Sequence, residues 1–313
     1  MKKFLILAFL AIAALALAAC GNDKKEDATE NSGAGEKSIT IKHDYGEAVI
    51  KGTPKKVVVF DFGILDTLDE LGIKVAGVPQ TNIPAYLEKY AGDEYKNVGS
   101  LKEPDFEAIH AMKPDVIFIS GRQAELYDQF AEIAPTVYIG IDYANYMDSF
   151  KKNMETVGEI FGKEDEITKE LADIDKDVEG IKAKTETHDE KSLIVLANEG
   201  KVSAFGPASR FGIIHDVFGF KPADKGIEVS THGQSITFEY ILETNPDILF
   251  VIDRNAAVNT GASAKSSLEN ELVQKTNAYK NGKIIYLDPD YWYLSGGGLQ
   301  SIKAMIKEVE SAL

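Results

Sequence analysis

Among 34 basic residues only three are arginines, Arg122, Arg210 and Arg254. Lysine serves wherever a positive point charge is enough. A guanidinium adds a planar fork of donors, a charge that does not titrate away and a face that stacks on aromatic rings. Three such groups brought together would suit an anionic, oxygen-rich, aromatic guest, whereas any one of them alone could equally form a surface ion pair in so acidic a chain. Two further segments carry usable chemistry. Ser230-Thr231-His232-Gly233-Gln234-Ser235 is a polar turn, and Tyr291-Trp292-Tyr293-Leu294-Ser295-Gly296-Gly297-Gly298 is an aromatic cluster followed by a glycine run. Imidazole and phenolate both bind ferric iron. Read singly, His232 is also an ordinary hydrogen-bonding loop residue, the aromatics also fit as packing, and the glycines also fit as a loop before a last helix over 299–313.

The positions of the arginines gain meaning from an internal repeat. Phe106-Glu107-Ala108-Ile109 with Lys113-Pro114-Asp115-Val116-Ile117-Phe118 aligns on Phe238-Glu239-Tyr240-Ile241 with Asn245-Pro246-Asp247-Ile248-Leu249-Phe250 at a constant offset of 132. Each copy reads as a short helix, a Pro-Asp turn and a buried strand. Arg122 and Arg254 are also 132 apart, so each leaves a strand at its carboxyl end. Arg210 follows an expected hairpin over 193–205 turning at Glu199-Gly200, at the start of a helical stretch reaching Phe218. Further strands are expected at 56–60, 136–141 and 283–287.

Between the halves, Phe150, Met154, Val157, Ile160 and Phe161, then Ile167, Leu171, Ile174, Val178 and Ile181, recur at spacings of three and four. They form one apolar stripe, predicting one long bridging helix or two nearly continuous ones broken at Gly162. Strands alternating with helices predict an α/β fold of two Rossmann-like lobes with parallel-rich sheets, joined by that helix, with a ligand cleft between the lobes. The expected boundaries are 38–146 for the first lobe, 147–186 for the bridge and 187–313 for the second lobe. A cleft lined by three guanidinium groups fits a ferric tris-catecholate, a rigid aromatic shell carrying three negative charges.

The first residues predict where this body works. Met1-Lys2-Lys3, an apolar run and then Leu17-Ala18-Ala19-Cys20 read as a signal peptide over 1–19 closed by a lipobox. Cys20 is the single cysteine, cannot pair within the chain, and is placed for lipidation. Residues 20–37, polar and without apolar periodicity, read as a flexible tether. The formal charge is −16, and loss of the leader leaves 32 basic against 50 acidic groups, which argues against nucleic acid as a partner.

Enzyme readings find little support. There is no G-x-S-x-G elbow, H-E-x-x-H helix or P-loop, and Asp61-Phe62-Gly63 echoes a kinase triplet without the loops that would give it meaning. His43, His110, His188, His215 and His232 lack metal-ligand spacing. Haem and cobalamin give no reason for three arginines; with ferric hydroxamates they remain the alternative guests, and a surface-anchored enzyme is the remaining alternative class.

Taken together, Val57-Val58-Val59-Phe60-Asp61-Phe62-Gly63, Val98-Gly99-Ser100-Leu101-Lys102-Glu103-Pro104-Asp105, Thr231-His232-Gly233-Gln234-Ser235 and Trp292-Tyr293-Leu294-Ser295-Gly296-Gly297-Gly298 resemble the siderophore-binding lipoproteins of ABC importers, of the catecholate type that accepts petrobactin. The likeness covers almost the whole chain after the leader. It implies a monomeric, non-enzymatic carrier without an intrinsic cofactor, lipid-anchored outside the cell membrane, that passes a ferric siderophore to an ABC permease dimer with its ATPase. It implies that Arg122, Arg210 and Arg254 hold the catecholates, with Trp292 beside them. It also implies that His232 and Tyr293 complete the iron coordination when the siderophore leaves positions open, and that one surface glutamate per lobe meets the permease. Glu107 and Glu239 hold equivalent places in the repeat and are the candidates, although a carboxylate in the first turn of a helix is favoured by the helix dipole in any case.

Overall fold

The computed structural model describes residues 38–258 and 264–313. The expected leader, the tether and Cys20 lie outside the described residues. The chain starts with an antiparallel hairpin, β1 (Ser38–His43) and β2 (Gly46–Lys51), whose Ile41, Ala48 and Ile50 turn inward. The first lobe follows as β3 (Val57–Val59), α1 (Phe62–Glu70), β4 (Gly77–Val78), β5 (Lys96–Asn97), α2 (Phe106–Met112), β6 (Val116–Ile119), α3 (Tyr127–Ala131) and β7 (Thr136–Tyr138). Its strands form a wholly parallel sheet in the order β5-β4-β3-β6-β7. Both faces of that sheet are covered, which is why β3 and β6 are apolar throughout.

The bridge is two helices, α4 (Tyr146–Phe161) and α5 (Glu164–Thr185). The break falls at Gly162, which adopts φ 65° and closes α4 in a left-handed cap. Phe150, Met154, Val157, Ile160, Ile167, Leu171, Ile174, Val178 and Ile181 are all buried, so the stripe seen in the sequence is the packed face.

The second lobe comprises β8 (Lys191–Asn198), β9 (Lys201–Phe205), α6 (Ile213–Asp216), β10 (Lys221–Pro222), β11 (Gln234–Ile236), α7 (Phe238–Thr244), β12 (Ile248–Asp253), α8 (Arg254–Ala257), α9 (Lys265–Leu268), α10 (Asn277–Lys280) and β13 (Ile284–Leu287). Its sheet runs β11-β9-β8-β12-β13, with β10 beside β8. The parallel core of β8, β12 and β13 gains an antiparallel edge because β8 turns back on itself at Glu199-Gly200. Both turn residues have positive φ, 51° and 75°, the geometry that matches strand twist in a tight hairpin. The helical stretch expected to reach Phe218 is a single turn, α6, because the segment before it is a tight loop.

The repeat is visible in detail. α2 and α7 are capped by Asp105 and Thr237 and end at Lys113 and Asn245, both left-handed. Proline follows each because the chain cannot continue the helix. Asp115 then accepts the backbone N–H groups of Lys55 and Lys56, and Asp247 accepts that of Lys191. In each lobe the Pro-Asp turn therefore pins the neighbouring strand.

The last helix, α11 (Leu299–Glu310), leaves the second lobe and lies on α1 of the first. Its free N–H groups are met by α1: Gln300 and Ser301 donate to Asp66, and Leu299 donates to Thr67. Asp66 is fully buried, and burial pushes its carboxyl up to about 7 against these donors and the Tyr86 hydroxyl. Contact here is backbone to backbone, which accounts for the glycine run. A Cβ on Gly63 would sit 2.7 Å from the Gly296 carbonyl oxygen, and one on Gly298 would overlap Asp66 and the Gly63 carbonyl. We expect Gly298→Ala to destabilise the fold by about 3 kcal/mol through overpacking, with a fall in melting midpoint of roughly 5–10 °C. An unchanged thermal melt would contradict this account of the glycines.

Candidate ligand-binding site

Each arginine stands where local backbone chemistry ends one element and starts another. Beyond β6, Ser120 opens a 3-10 turn (Gly121–Leu126) in a reciprocal cap, with the Ser120 N–H donating to Gln123. The Gln123 amide is tied in turn to the Leu101 carbonyl at 2.5 Å. That turn presents Arg122. Beyond β12, Asp253 caps α8 by accepting from Asn255 and Ala256, so that Arg254 is the first helical residue. Arg210 lies in a loop braced by Asp216, which accepts the Ala208 N–H at 2.6 Å, and by the Ser209 hydroxyl, which donates to the Gly206 carbonyl.

All three converge on one residue. Arg122 Nη2 and Arg210 Nη2 each donate to the Tyr293 carbonyl oxygen at 2.7 Å. Arg254 donates through Nε to the Tyr293 hydroxyl at 3.0 Å and through Nη1 to Asn198 Oδ1 at 2.9 Å. The Arg210 guanidinium also lies 4.4 Å from the Tyr293 ring centre and 5.2 Å from that of Phe211, the distance of cation–π contact. Tyr293 can serve all three because Asp290–Ser295 is wound as a π-helical turn, which is wider than an α-helix and frequent at functional sites.

A cavity of about 500 Å³ opens at this point. Lys102, Ser120, Arg122 and Tyr138 of the first lobe face Arg210, Phe211, Thr231 and His232 of the second, with Trp292, Tyr293 and Ser295 between them. Tyr143 adds a further phenol. Arg254 stands behind Tyr293 and does not line the cavity. His232 is exposed on its rim. Trp292 is 3 % exposed and its indole N–H donates to Glu308 at 2.7 Å, so it is a wall held from behind. Glu107 and Glu239 do not line the cavity, and both are exposed in the first turns of α2 and α7.

The electrostatics favour an anion. Burial first, and the charge of Arg122 second, lower the proton affinity of Arg210, so two neighbouring guanidinium groups are held against mutual repulsion. Burial alone would push the Tyr293 phenol up, but the hydrogen bond from Arg254 and the charges of Arg210, Arg254 and Arg122 outweigh it and hold the phenol below its ordinary value. Among the described residues, no cluster of three or more His, Cys, Asp or Glu side chains is placed to hold a metal ion.

Sequence reasoning did not identify Lys102, Tyr138, Tyr143 or Asp61 as cavity residues. Lys102 is one lysine of 31, and the tyrosines sit in strands or turns with nothing in their spacing to mark them.

Comparison with known proteins agrees with this architecture. Residues 57–291 match the periplasmic binding protein family model. The chain is 51% identical to the petrobactin-binding protein YclQ of Bacillus subtilis, over 100% of this chain and 99% of that one. It is 37% identical to the ferric-anguibactin-binding protein FatB of Vibrio anguillarum, over 88% and 87%. The crystal structure of YclQ superposes with a TM-score of 0.87 at 53% identity, covering 88% of this chain and 99% of that one. That of the periplasmic catecholate-siderophore binding protein VctP of Vibrio cholerae superposes with a TM-score of 0.84 at 34% identity, covering 88% and 100%. With two α/β lobes, a cationic cleft between them and a family match over most of its length, the chain belongs to the periplasmic binding proteins.

Proposed function

We propose that this protein captures a ferric catecholate siderophore of the petrobactin kind in its cleft and delivers it to an ABC permease for iron uptake. The observation that carries the reading is the meeting of three guanidinium groups on Tyr293, two of them beside a cavity of about 500 Å³. That volume lies within the range of sites for compact small molecules. A catecholate oxygen can replace the Tyr293 carbonyl as the acceptor for Arg122 and Arg210, and its ring can stack among Tyr138, Tyr143 and Phe211. The guest's negative charge relieves the repulsion between the two guanidinium groups. The names of YclQ, FatB and VctP support the same class of cargo.

In this reading the iron is cargo, the protein has no intrinsic cofactor and no catalytic step, and it works as a monomer. His232 and Tyr293 meet the iron where the chelator leaves coordination positions open. A diacylglyceryl group on Cys20 holds the body outside the cell membrane through the tether at 20–37, and Glu107 and Glu239 dock on the permease dimer, which its ATPase drives. No helix of the described residues is long and apolar enough to cross a membrane.

Trp292, the only tryptophan, lies in the cavity wall and supplies the test. Its fluorescence is expected to quench saturably, at one equivalent, on titration with the tris complex of Fe(III) and 2,3-dihydroxybenzoate. A ferric hydroxamate, haem and cobalamin should bind at least tenfold more weakly, the cost of leaving one charge-assisted hydrogen bond unmade, about 1.5–3 kcal/mol. Tighter saturation by any of those three would overturn the assignment.

A further inference from the structure

The cavity holds one group of the opposite charge type. Asp61 caps α1, its Oδ1 accepting the Ile64 N–H at 2.9 Å, and it lines the same cavity as Lys102, Arg122 and Arg210 while only 9 % exposed. Among the described residues it makes no ion pair. An ionised carboxylate in that position would repel the multiply negative guest that the arginines attract, and a polyanion site gains nothing from it. A carboxylic acid would be different, since it carries no charge and has a proton to donate to an anionic oxygen.

We propose that Asp61 is a specificity-determining residue of the cleft that binds its guest as a neutral carboxylic acid, donating its proton in a hydrogen bond to an anionic oxygen of the ligand. This rests on the reading of the guest as a ferric catecholate. Ser120 and Arg122 from the turn after β6, Tyr138 from β7 and Tyr146 from α4 are the polar and titratable groups around it. Burial holds its carboxyl above the ordinary range, opposed by the Ser120 hydroxyl, the Ile64 N–H, the Arg122 charge and the Gly63 N–H. A negative guest close by raises it further. One proton is therefore taken from solvent onto the carboxylate when binding occurs at a pH between the acidities of the free and occupied states. Affinity falls as pH rises through that window, by at most tenfold per unit for a single proton. Below it Asp61 is neutral in both states, and above it charged in both. A cationic guest would instead favour the charged carboxylate and reverse the linkage, which is how the residue would discriminate.

The experiment uses the full chain and Asp61→Asn, which keeps the helix cap and removes the ionisable group. Asp61→Ser, another capping residue, is the second variant should Asn perturb the fold. Each is titrated with Fe(III) tris(2,3-dihydroxybenzoate) from mildly acidic to mildly alkaline pH, and the protons taken up are counted by calorimetry in two buffers of different ionisation enthalpy. The ligand's own protonation is common to all three proteins and cancels in the comparison. The native chain is expected to take up as much as one proton more than the variants, and the variants to bind as tightly at alkaline pH as the native chain does at acid pH. Equal proton uptake with parallel pH profiles would overturn the proposal. So would a variant weaker by a constant factor at every pH, the mark of a carboxylate that merely positions Arg122. If the native chain does not bind the ferric complex at any pH, the failure lies with the proposed function itself.

Discussion

Replacing Arg210 by alanine is expected to weaken ferric-catecholate binding about 10- to 100-fold, the equivalent of one charge-assisted hydrogen bond worth about 1.5–3 kcal/mol. Arg210 combines a hydrogen bond to Tyr293 with stacking on two rings, and it is partly buried. Lysine at this position should recover only part of the loss, because charge returns but the fork and the flat face do not. Arg122 is exposed and makes one bond, so Arg122→Lys should cost less. Arg254→Lys acts at one remove: its guanidinium ties the Tyr293 hydroxyl to Asn198, and losing that tie should loosen Tyr293 and let its phenol return towards ordinary acidity. Fluorescence titration of the three lysine variants, with a thermal melt to establish that each is folded, is the check. Native affinity in all three would dismiss the arginine triad as the ligand-holding device.

The second large effect is expected away from the cleft. Glu107→Ala combined with Glu239→Ala should leave ligand affinity as it is and cut siderophore-dependent uptake by more than tenfold. Truncating one partner of an interfacial charge pair costs about 2–5 kcal/mol when the other is left buried. The two glutamates are exposed and occupy equivalent turns of α2 and α7, so a two-fold symmetric permease could meet them with the same surface twice. Each single variant should fall between the native chain and the double variant. Uptake measured with radiolabelled iron in cells lacking the native protein decides the matter, and undiminished transport by the double variant would remove these residues from the interface.

Much of the architecture was legible because it is written in periodicity. Spacings of three and four gave the helical face later found buried in α4 and α5. Gly162 marked their break, and Glu199-Gly200 marked the hairpin, because only a few residue types tolerate positive φ. The offset of 132 exposed the two lobes, since a repeated helix, Pro-Asp turn and strand must meet the same steric rules each time it is used. Arg122, Arg210 and Arg254 stood out by scarcity in a lysine-rich chain, and the same repeat placed two of them at strand ends.

Tertiary structure alone decided what those groups meet. Nothing in the sequence indicates that one carbonyl oxygen would accept two guanidinium groups, because that depends on a π-helical turn bringing Tyr293 between lobes distant in the chain. The return of α11 onto α1 was equally hidden: Asp66 reads as one more acid on a helix until it is found capping a helix 233 residues later. Asp61, Lys102, Tyr138 and Tyr143 were invisible as cavity residues for the same reason. Local sequence dictates the conformation of each element through short-range sterics and burial, whereas a binding site is a meeting of side chains from separate elements, and only the packing of those elements sets which side chains meet.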